Sequence, residues 1–335
     1  MGTTQEAAAK VDAWLSRCAD PATDPLQGMA ETGLLEPETS YARIARIKAL
    51  LVERTGLLGV GGIWAGRQVV NRWFLQGFGT TAQRAAWLGH AASVAISEPG
   101  AGAHPKRLTT HADADGEGYC ISGAKAWVSN GPSAEVFVVL AITAREGERK
   151  RYSAFLVPHD APGLSLQEMP AFHALRPSRH CGLRLDRVPV ARDALLGTAG
   201  NAYEAMALPF RDVEDAVGTL GLLGAFRFLL RALSGSAESD EAAAMLGGLA
   251  ASAAVFEDAA DALLAALDAG RLNDKAATLV GLRVLATDMT QRFRAYVQQC
   301  GRLGDPAIED VLRDIDATLS VARGPRLARQ IRLAG

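Results

Sequence analysis

The first third of the chain has the hydrophobic spacing of amphipathic helices. In ARIARIKALLVERTGLL, Ile44, Ile47 and Leu51 recur at three- and four-residue spacings, and charged residues occupy the opposite face. The glycine-rich stretch GLLGVGG at 56–62 interrupts this pattern and predicts a loop or a close helix crossing. We therefore predict an N-terminal helical domain over residues 1–92.

Between about residues 93 and 200 the pattern changes to short β-type runs. These runs are separated by Gly, Pro and charged turns, and they read YCISGAKAWVSN, EVFVVLAIT, YSAFLVP and CGLRLDRVPV. Such a texture is typical of antiparallel strands rather than of βαβ units. We therefore predict a central antiparallel β-domain over residues 93–200.

From about residue 202 onward the chain is helical again. EAAAMLGGLAASAAVFEDAADALLAAL and KAATLVGLRVLATDMTQRFRAYVQQC are long, amphipathic and rich in Ala and Leu. A set of such helices usually packs as an antiparallel bundle. The prediction is therefore a multi-domain α+β fold that ends in a C-terminal helical bundle over residues 201–335.

Composition limits the partners and the setting of the protein. The chain has 335 residues, of which 49% are hydrophobic and 21% charged, enough to bury a core in each of two or three domains. A formal net charge of −2 argues against nucleic acid or an anionic membrane surface as a partner. The N-terminus lacks an apolar signal core. The most apolar helical stretch, residues 216–226, is too short to span a membrane. The four cysteines lack the spacing of a zinc site. We expect a cytoplasmic protein without a metal site.

Two stretches carry candidate binding chemistry. VAISEPGAG, residues 94–102, passes through Ser97 into three small residues, which offer a hydroxyl, backbone N–H groups and clearance to a flat or anionic ligand; a plain turn is the alternative. GAKAWVSN, residues 123–130, places Trp127 and Ser129 at alternate positions of a strand, facing one side. Together these groups suit the edge and face of a heteroaromatic ring. No G-x-x-x-x-G-K stands before a helix, and no G-x-G-x-x-G follows a strand.

These stretches resemble the acyl-CoA dehydrogenase family. AISEPGAG, DGEGYCISGAKAWVSNGPSAEVFVVLAIT and LRPSRHCGLRLDRVPVARDALLG are similar to the family's middle domain, in its order and at its spacing. MAETGLL and FLQGFGTTAQRAAWL resemble the N-terminal domain, and YVQQCGRLGDPAIEDVLRDIDATLSVARG resembles the C-terminal end. The resemblance implies a helical domain, a β-barrel-like domain and a four-helix bundle, with FAD between the last two and a homodimer or homotetramer.

The resemblance also implies roles for three residues. In the family, the residues that match Ser97 and Ser129 hydrogen-bond the flavin ring, and the Trp that matches Trp127 stacks beside it. Dehydrogenation of an acyl thioester needs a base for the α proton and an acceptor for the β hydride, and no side chain accepts hydride. We therefore expect FAD as the acceptor and a carboxylate as the base.

Glu214 is the candidate base. Most family members carry the base just before a Gly-Thr near the C-terminus, but the matching stretch here, LSVARGPRLARQ, contains no acid. A minority carries it on the first helix of the bundle, and Glu214 lies ten residues before Gly224, the spacing that this variant implies. If Gly221 is the anchor instead, the same count reaches Arg211 and the candidate is lost.

Asp212 and Asp215 flank Glu214 on other faces of the same predicted helix. The alternative to a catalytic role is that all three are solvated acids near a helix N-terminus, where carboxylates are stabilised. If Glu214 is the base, a closed apolar acyl pocket should raise its pKa, because desolvation penalises the charged form.

The segments that hold the FAD diphosphate in the family are altered here. The family's Arg-x-x-Phe-Gly segment is absent from RALSGSAESDEAAAM, which stands in its place after the first bundle helix. Its partner Gln-x-x-Gly-Gly-x-Gly corresponds to QQCGRLG, with Gln298, Gly301 and Gly304 retained and Arg302 where a Gly is expected. We predict that Gln298, Gly301 and Gly304 bind the cofactor, and that Arg302 either takes over the diphosphate charge or blocks its approach.

The remaining departures concern the substrate side. The Gly-Ser-Asp that usually ends the first motif reads GAH, so Ala103 lacks the hydroxyl that often meets the pantetheine in the family. His104 either faces the CoA phosphates or is solvated. Asp113, Arg313 and Asp314 are interpreted as structural, because LRD matches a family segment that braces the bundle.

Three functions are compatible with these residues. The leading hypothesis is FAD-dependent α,β-dehydrogenation of an acyl-CoA, or of a carrier-bound acyl thioester, with electrons passed to an electron-transfer flavoprotein or a similar acceptor. The second is a non-catalytic or half-site subunit of a heteromeric acyl-CoA dehydrogenase that depends on a paralogue. The third is a flavin monooxygenase or nitroalkane oxidase relative, although the latter would carry an Asp near Arg323.

Overall fold

The computed structural model describes residues 2–169 and 172–334 and begins with a group of helices. A π-helical segment, Asn71–Gln76, prolongs the third of them. Ser40 caps the second helix by accepting from the Arg43 N–H, and Gly56 ends it with a positive φ of 72°. The helices are α1 (Gly2–Leu15), α2 (Tyr41–Thr55), α3 (Leu58–Val70) and α4 (Thr81–Trp87).

Eight strands then form one sheet in the order β6-β7-β3-β2-β4-β5-β8, and β1 adds to β4 outside this path. Most pairs are antiparallel, as the sequence predicts. The β1–β4 pair is parallel, and so is the single bridge between His111 and Ile142 that joins β2 to β4. The strands are β1 (Ala92–Ala95), β2 (His111–Asp115), β3 (Gly118–Ser129), β4 (Val136–Glu146), β5 (Arg149–Pro158), β6 (Leu164–Glu168), β7 (His180–Ala191) and β8 (Leu195–Leu196).

The last part of the described chain is a bundle of four long helices with a short fifth helix beside it. The first bundle helix is preceded by a π-helical segment, Tyr203–Ala207. The predicted α+β fold, with its helical, β and helical regions, is therefore confirmed. The helices are α5 (Leu208–Ala232), α6 (Asp240–Asp268), α7 (Ala276–Gln299), α8 (Pro306–Ser320) and α9 (Arg323–Arg332).

Buried apolar side chains form two clusters, and β4 belongs to both. Alternate residues of β4, such as Phe137 and Val139, face a cluster inside the sheet. Their neighbours Val138 and Leu140 face a larger cluster that runs from α1 through α8. Because the strand is covered on both faces, its sequence is a continuous apolar run. The N-terminal helices and the C-terminal bundle thus share one core.

Glycines allow the N-terminal helices to approach their neighbours closely. A Cβ at Gly224 of α5 would stand 2.3 Å from the carbonyl oxygen of Ala49 on α2. A Cβ at Gly59 would stand 2.0 Å from the carbonyl oxygen of Leu175, in the connection that leads to β7. The interruption predicted at 56–62 therefore contains both a helix end, at Gly56, and close packing of α3.

Three further features bear on the setting of the molecule. All four cysteines carry free thiols. Over residues 2–169 and 172–334, no helix is both long enough and apolar enough to cross a bilayer. Within the same residues, no group of three or more His, Cys, Asp or Glu side chains is arranged to hold a metal ion.

Candidate functional site

The turn after β1 is built on a buried ion pair. The Lys125 Nζ lies 3.0 Å from Oε1 of Glu98, and their side chains are 0% and 4% exposed. Glu98 also accepts hydrogen bonds from the backbone N–H groups of Thr109 and Thr110, at 2.7 and 2.9 Å. Burial alone would raise the pKa of Glu98, but Lys125 and these donors outweigh it and lower the pKa to about 2. Burial lowers the pKa of Lys125 to about 8, so the pair is ionised at neutral pH.

The glycines of this turn serve its backbone conformation. Glu98 and Gly102 exchange backbone hydrogen bonds of 3.0 Å, and Gly100 and Gly102 have φ values of 68° and 57°. A Cβ at either glycine would meet no other atom within 4 Å. The positive φ values account for glycine at both positions, and the open space beside them leaves both the plain turn and clearance for a ligand as predictions.

Ser97, Trp127 and Ser129 come together where β1 runs beside the end of β3. The Ala126 N–H donates to the Ser97 carbonyl oxygen at 2.9 Å, and the Ser93 hydroxyl donates to the Ser129 carbonyl oxygen at 2.9 Å. These two bonds hold the three predicted flavin-ring residues together where β3 ends, at a margin of the sheet called the Trp127 edge below.

The side chains of Trp127 and Ser129 face away from the core. Val128 between them is buried, whereas Ser129 is exposed and the Trp127 side chain is 54% exposed. Trp127 lies at an irregularity in the β3–β7 pairing and has a φ of 60°. A positive φ is unfavourable for a bulky residue, and bulges often redirect a side chain. The bulge thus presents an indole to the surface.

Two aromatic side chains that the sequence analysis did not single out adjoin Trp127. The ring of Phe172 meets Trp127 edge-on at a centroid distance of 5.9 Å, and His180 packs edge-on against Phe172 at 4.7 Å. His180 pairs with Ser129 across β3 and β7, and its Nδ1 is buried without a hydrogen-bond partner. Burial lowers the pKa of His180, so this ring is neutral at pH 7.

Glu214 lies on α5, and its side chain is exposed to solvent. Enough protein surrounds the carboxyl group that desolvation raises its pKa, in the direction predicted, although Lys48, Arg283 and Arg326 oppose the rise. The side chain nevertheless reaches solvent, so a ligand that displaced this water would raise the pKa of Glu214 further. The surroundings are more charged than the apolar pocket that the sequence analysis expected.

Lys48 is the cation that most affects Glu214. It lies on α2 and is half-buried, and burial lowers its pKa to about 8, with Glu214 acting in the opposite direction. The sequence analysis placed the charged residues of α2 on the face opposite the apolar stripe. Lys48 instead turns inward towards α5, which only the packing of α2 against α5 could reveal.

The neighbouring acids of α5 belong to ion pairs. Asp215, with a side chain 10% exposed, pairs with Arg283 of α7 and with Arg326 of α9, the latter at 2.9 Å. Asp212 pairs with Arg329 of α9 at 2.5 Å. The alternative that all three acids are solvated near a helix N-terminus is therefore wrong for Asp215, because it is buried and paired about two turns inside the helix.

The helix α3 borders both groups of residues. A Cβ at Gly66 would lie 3.2 Å from Nδ2 of Asn130, the residue after Ser129. A Cβ at Gly61 would lie 3.2 Å from Cγ of Lys48. Five residues of helix rise about 8 Å and turn about 140°, so the indole-bearing edge and the Lys48 side chain border one helix on different faces.

The predicted diphosphate residues form a separate group at the end of α7. Gln298, Gly301 and Gly304 are exposed, and the two glycines have φ values of 67° and 85°. Arg302 pairs with Asp305 at 2.6 Å, which engages the guanidinium near the N-terminus of α8. In the part of the chain that the structure describes, no hydrogen bond joins this group to the Trp127 edge.

The other departures found in the sequence have these positions. Ala103 and His104 lie in an exposed loop, where the Ala103 carbonyl oxygen accepts from the Tyr203 hydroxyl at 3.3 Å. Asp314 is buried and accepts from the Leu175 N–H at 2.8 Å, which supports the structural interpretation of that residue. Asp113 is exposed, and Arg313 pairs with Asp310 one helical turn away.

Two surface clefts lie apart from these groups. One of about 570 Å³ is bordered by Thr80, Trp87, Pro158 and Asp193, among others. Another of about 260 Å³ lies between α5, α7 and α9 and includes the Asp212–Arg329 pair. None of the predicted site residues lines either cleft, so neither is the site considered below.

The sequence and the fold are similar to those of known proteins. Residues 93–188 match the family model of the acyl-CoA dehydrogenase middle domain. The cyclohexane-1-carbonyl-CoA dehydrogenase of Geobacter metallireducens is 32% identical over 245 residues, which is 68% of this chain and 63% of that protein. The short-chain specific acyl-CoA dehydrogenase of Bos taurus is 36% identical over 133 residues, 38% of this chain and 32% of that protein.

Among solved structures, butyryl-CoA dehydrogenase from Megasphaera elsdenii superposes with a TM-score of 0.87 at 15% identity, covering 100% of this chain and 99% of that one. The fold is thus that of acyl-CoA dehydrogenases from end to end. The middle of the chain, residues 93–188, thus carries an acyl-CoA dehydrogenase middle domain, and the matches of the chain span about one third to two thirds of the length of these curated relatives.

Proposed function

We propose that the protein is an FAD-dependent dehydrogenase of acyl thioesters in which Glu214 removes the α proton. The observation that carries this proposal is the accessible Glu214 carboxyl group with a raised pKa, on the first helix of the bundle. It adjoins the same helix, α3, as an exposed indole and two serines. The reaction needs a base and a flat hydride acceptor. Glu214 would serve as the base, and the exposed indole and the two serines would bind the acceptor.

The residues at the end of β3 fit the ring system of FAD. Trp127 presents an exposed indole on a bulge, and the exposed hydroxyl of Ser129 stands on the same side of the strand. Ser97 lies beside them on the firmly held turn. Bound against this edge, FAD would supply the hydride acceptor that no amino acid provides. Gln298, Gly301 and Gly304 would hold a diphosphate. Among the described residues, no hydrogen bond joins this group to the Trp127 edge.

Glu214 suits the removal of a proton from the carbon next to a thioester. Its carboxylate is exposed and therefore reachable, and its raised pKa brings its basicity closer to the working pH. An acyl thioester bound over Glu214 would exclude water and raise that pKa further. Ser97, Trp127 and Ser129 would orient the cofactor, so that the proton leaves to Glu214 from the opposite side.

The first test is the colour and reactivity of the purified chain. A dehydrogenase should carry a flavin spectrum that bleaches when a suitable acyl-CoA is added without oxygen. Glu214→Gln should keep the flavin spectrum and lose bleaching by about a thousandfold, because a positioned base contributes roughly that much. The matched control is Glu241→Gln, an exposed acid in the first turn of α6. Bleaching by Glu214→Gln at close to the wild-type rate would remove Glu214 as the base.

The partners and the location follow from this proposal. The electrons would pass to an electron-transfer flavoprotein or a similar acceptor, and the thioester would be carried by CoA or by a carrier protein. We propose a homodimer or homotetramer in the cytoplasm, in which Gln298, Gly301 and Gly304 serve a cofactor site of a neighbouring subunit. Sedimentation of the purified chain tests the assembly.

A half-site subunit is the second candidate, and one observation favours it. Arg302 is engaged by Asp305, and the residues between α5 and α6 lack the Arg-x-x-Phe-Gly segment. A cofactor diphosphate would therefore depend on another chain for part of its binding. A colourless, stable oligomer that becomes yellow only with a paralogue would support this candidate over the first.

A further inference from the structure

The Trp127 indole receives little support from its own strand. The residue lies at a bulge of β3 with a φ of 60°, and its side chain is exposed. A side chain that becomes fixed only when it binds a ligand loses conformational entropy, which lowers the affinity. An indole that is already fixed avoids this loss. The contacts that fix the indole therefore bear on what it binds.

Phe172 contacts the indole of Trp127 directly. The two rings meet edge-on, with a centroid distance of 5.9 Å and an interplanar angle of 82°. His180 in turn meets Phe172 at a centroid distance of 4.7 Å and an angle of 65°. Edge-on contacts are a preferred arrangement of aromatic rings and are more favourable than their buried area alone implies. Trp127, Phe172 and His180 thus form one chain of rings, which we call the aromatic triad.

The His180 end of the aromatic triad is fixed by the sheet. His180 is the first residue of β7 and pairs with Ser129 of β3. Beside this pair, the Asn130 N–H donates to the Arg179 carbonyl oxygen at 2.7 Å. The Nδ1 atom of His180 is buried without a hydrogen-bond partner, so the imidazole contributes to the triad through the packing of its ring.

Phe172 is held by the connection between β6 and β7. The Leu175 N–H of this connection donates to Oδ1 of Asp314 on α8 at 2.8 Å. The Ser178 hydroxyl donates to Oδ1 of Asn130 at 2.8 Å. The connection is therefore attached both to the bundle and to the residue that follows β3, and these attachments keep Phe172 against the indole.

Core packing is the alternative role for Phe172. Among the described residues, however, Phe172 belongs to neither of the two buried apolar clusters of the fold. It is half-buried, and its aromatic neighbours are the exposed indole and a histidine. A phenylalanine outside the core that contacts an exposed tryptophan is better explained by the site to which that tryptophan belongs.

We propose that Phe172 and His180 are positioning residues of the cofactor site, and that they hold the Trp127 indole ready to stack against the flat ring of FAD. This inference rests on the proposed function, which supplies FAD as that ring. Neither residue needs to touch the cofactor, because each acts through Trp127. Position 180 then requires an aromatic ring and does not require an imidazole.

The affinity of the full chain for FAD tests this role. The purified chain is freed of flavin, and FAD is titrated against it while the quenching of flavin fluorescence is followed. Phe172→Leu and His180→Leu should each weaken binding by about threefold to tenfold, as the loss of one aromatic contact implies. His180→Phe restores an aromatic ring and should bind FAD within about twofold of the wild type.

Two further measurements show whether Phe172 acts through Trp127. Once Trp127→Leu has removed the indole, Phe172→Leu should cause no further loss of affinity, because the two losses are coupled. The polarisation of Trp127 fluorescence is the difference between each chain and its Trp127→Phe derivative. This polarisation should fall in Phe172→Leu before any FAD is added. A residue that served only the stability of the fold would change neither quantity.

Phe78→Leu is the matched control. Phe78 is also half-buried, and it meets another tryptophan, Trp73, edge-on at 5.8 Å. This variant should leave the affinity for FAD close to that of the wild type. If Phe172→Leu melts well below the wild type, Phe172→Met is titrated in its place and should show the same loss.

The outcomes separate this inference from the proposed function. Wild-type affinity in a folded Phe172 variant, or additive losses with Trp127→Leu, would overturn the positioning role of Phe172. An equal loss in His180→Phe and His180→Leu would overturn that of His180. Each of these results leaves the dehydrogenase proposal standing. Failure of the wild type itself to bind FAD would instead remove the cofactor from the proposed function, and this inference with it.

Discussion

The Lys125 ammonium and the Glu98 carboxylate form an ion pair of 3.0 Å beneath the turn that carries Ser97. Lys125 belongs to β3, two residues before Trp127, and Glu98 follows Ser97 directly. Through this pair, the strand that presents the indole and the turn that presents the serine are held in one register. A buried ion pair thus sets the geometry of a site at the protein surface.

Lys125→Met is expected to destabilise the protein by about 3–5 kcal/mol, because it leaves Glu98 buried without its cation. Urea unfolding followed by circular dichroism measures this loss. The exposed Lys106→Met is the matched control and should change stability by less than about 0.5 kcal/mol. The double variant Lys125→Met with Glu98→Gln should lose less than the two single losses added together. Strict additivity would contradict the coupling.

Glu98 also predicts an acid-dependent loss of stability. Its pKa is about 2 in the folded protein, against an ordinary value of 4.5, so the stability it contributes is complete above pH 4.5 and is lost as the pH falls through about 2. The difference of pKa corresponds to about 3 kcal/mol. The free energy of unfolding of the wild type, measured from pH 6 to pH 2, should fall by about this much more than that of Glu98→Gln. Parallel curves for the two proteins would refute the prediction.

The C-terminal helix α9 is expected to open locally before the rest of the bundle. It has no buried residue, and it is tied to α5 by Arg326 and Arg329, which pair with Asp215 and Asp212. Helices with few buried contacts unfold locally at low free energy. In hydrogen exchange, Arg326→Met combined with Arg329→Met should increase exchange over residues 323–332 at least tenfold. The exposed Arg332→Met is the matched control and should leave that exchange close to the wild-type rate.

Two glycine-to-alanine changes in the bundle should have opposite effects. Gly224→Ala places a methyl group 2.3 Å from the Ala49 carbonyl oxygen, so α2 and α5 must separate, at a cost of about 2–4 kcal/mol. Gly247→Ala on α6 meets no atom within 4 Å and should stabilise the protein by about 0.5–1 kcal/mol. Thermal melts of the two variants measure both. A neutral Gly224→Ala would show that the close crossing of α2 and α5 does not constrain residue 224.

Local patterns in the sequence were sufficient to predict the order of the helical and β regions and the exposure of two site residues on β3. The three-to-four spacing of apolar residues gave α2, and Trp127 and Ser129 are both exposed on β3 as alternation predicts, although the bulge at Trp127 breaks the alternation with the buried Lys125. Both patterns depend on neighbours within one element, where side-chain direction follows from backbone geometry. The raised pKa of Glu214 also follows the direction expected from its pocket.

The features that escaped the sequence analysis all depend on contacts between distant segments. Lys48 lies in a charged helix face by sequence, yet α5 covers it and burial lowers its pKa to about 8. The contact of Phe172 with Trp127 joins a connection between strands to a bulge more than forty positions earlier in the chain. Asp215 is engaged by Arg326 of the last helix. No periodic signal encodes such pairings, because the chain's path through space decides them.

The shared core of the first and last helices has a consequence for how the protein is made. The apolar faces of α2 and α3 finish packing only against α5, which follows the whole sheet in sequence. At about 5–20 residues per second, translation leaves those faces uncovered for roughly ten seconds or longer. If translation stalled within the sheet region, the nascent chain would therefore expose an incompletely packed apolar surface, the kind of target that chaperones and proteases recognise.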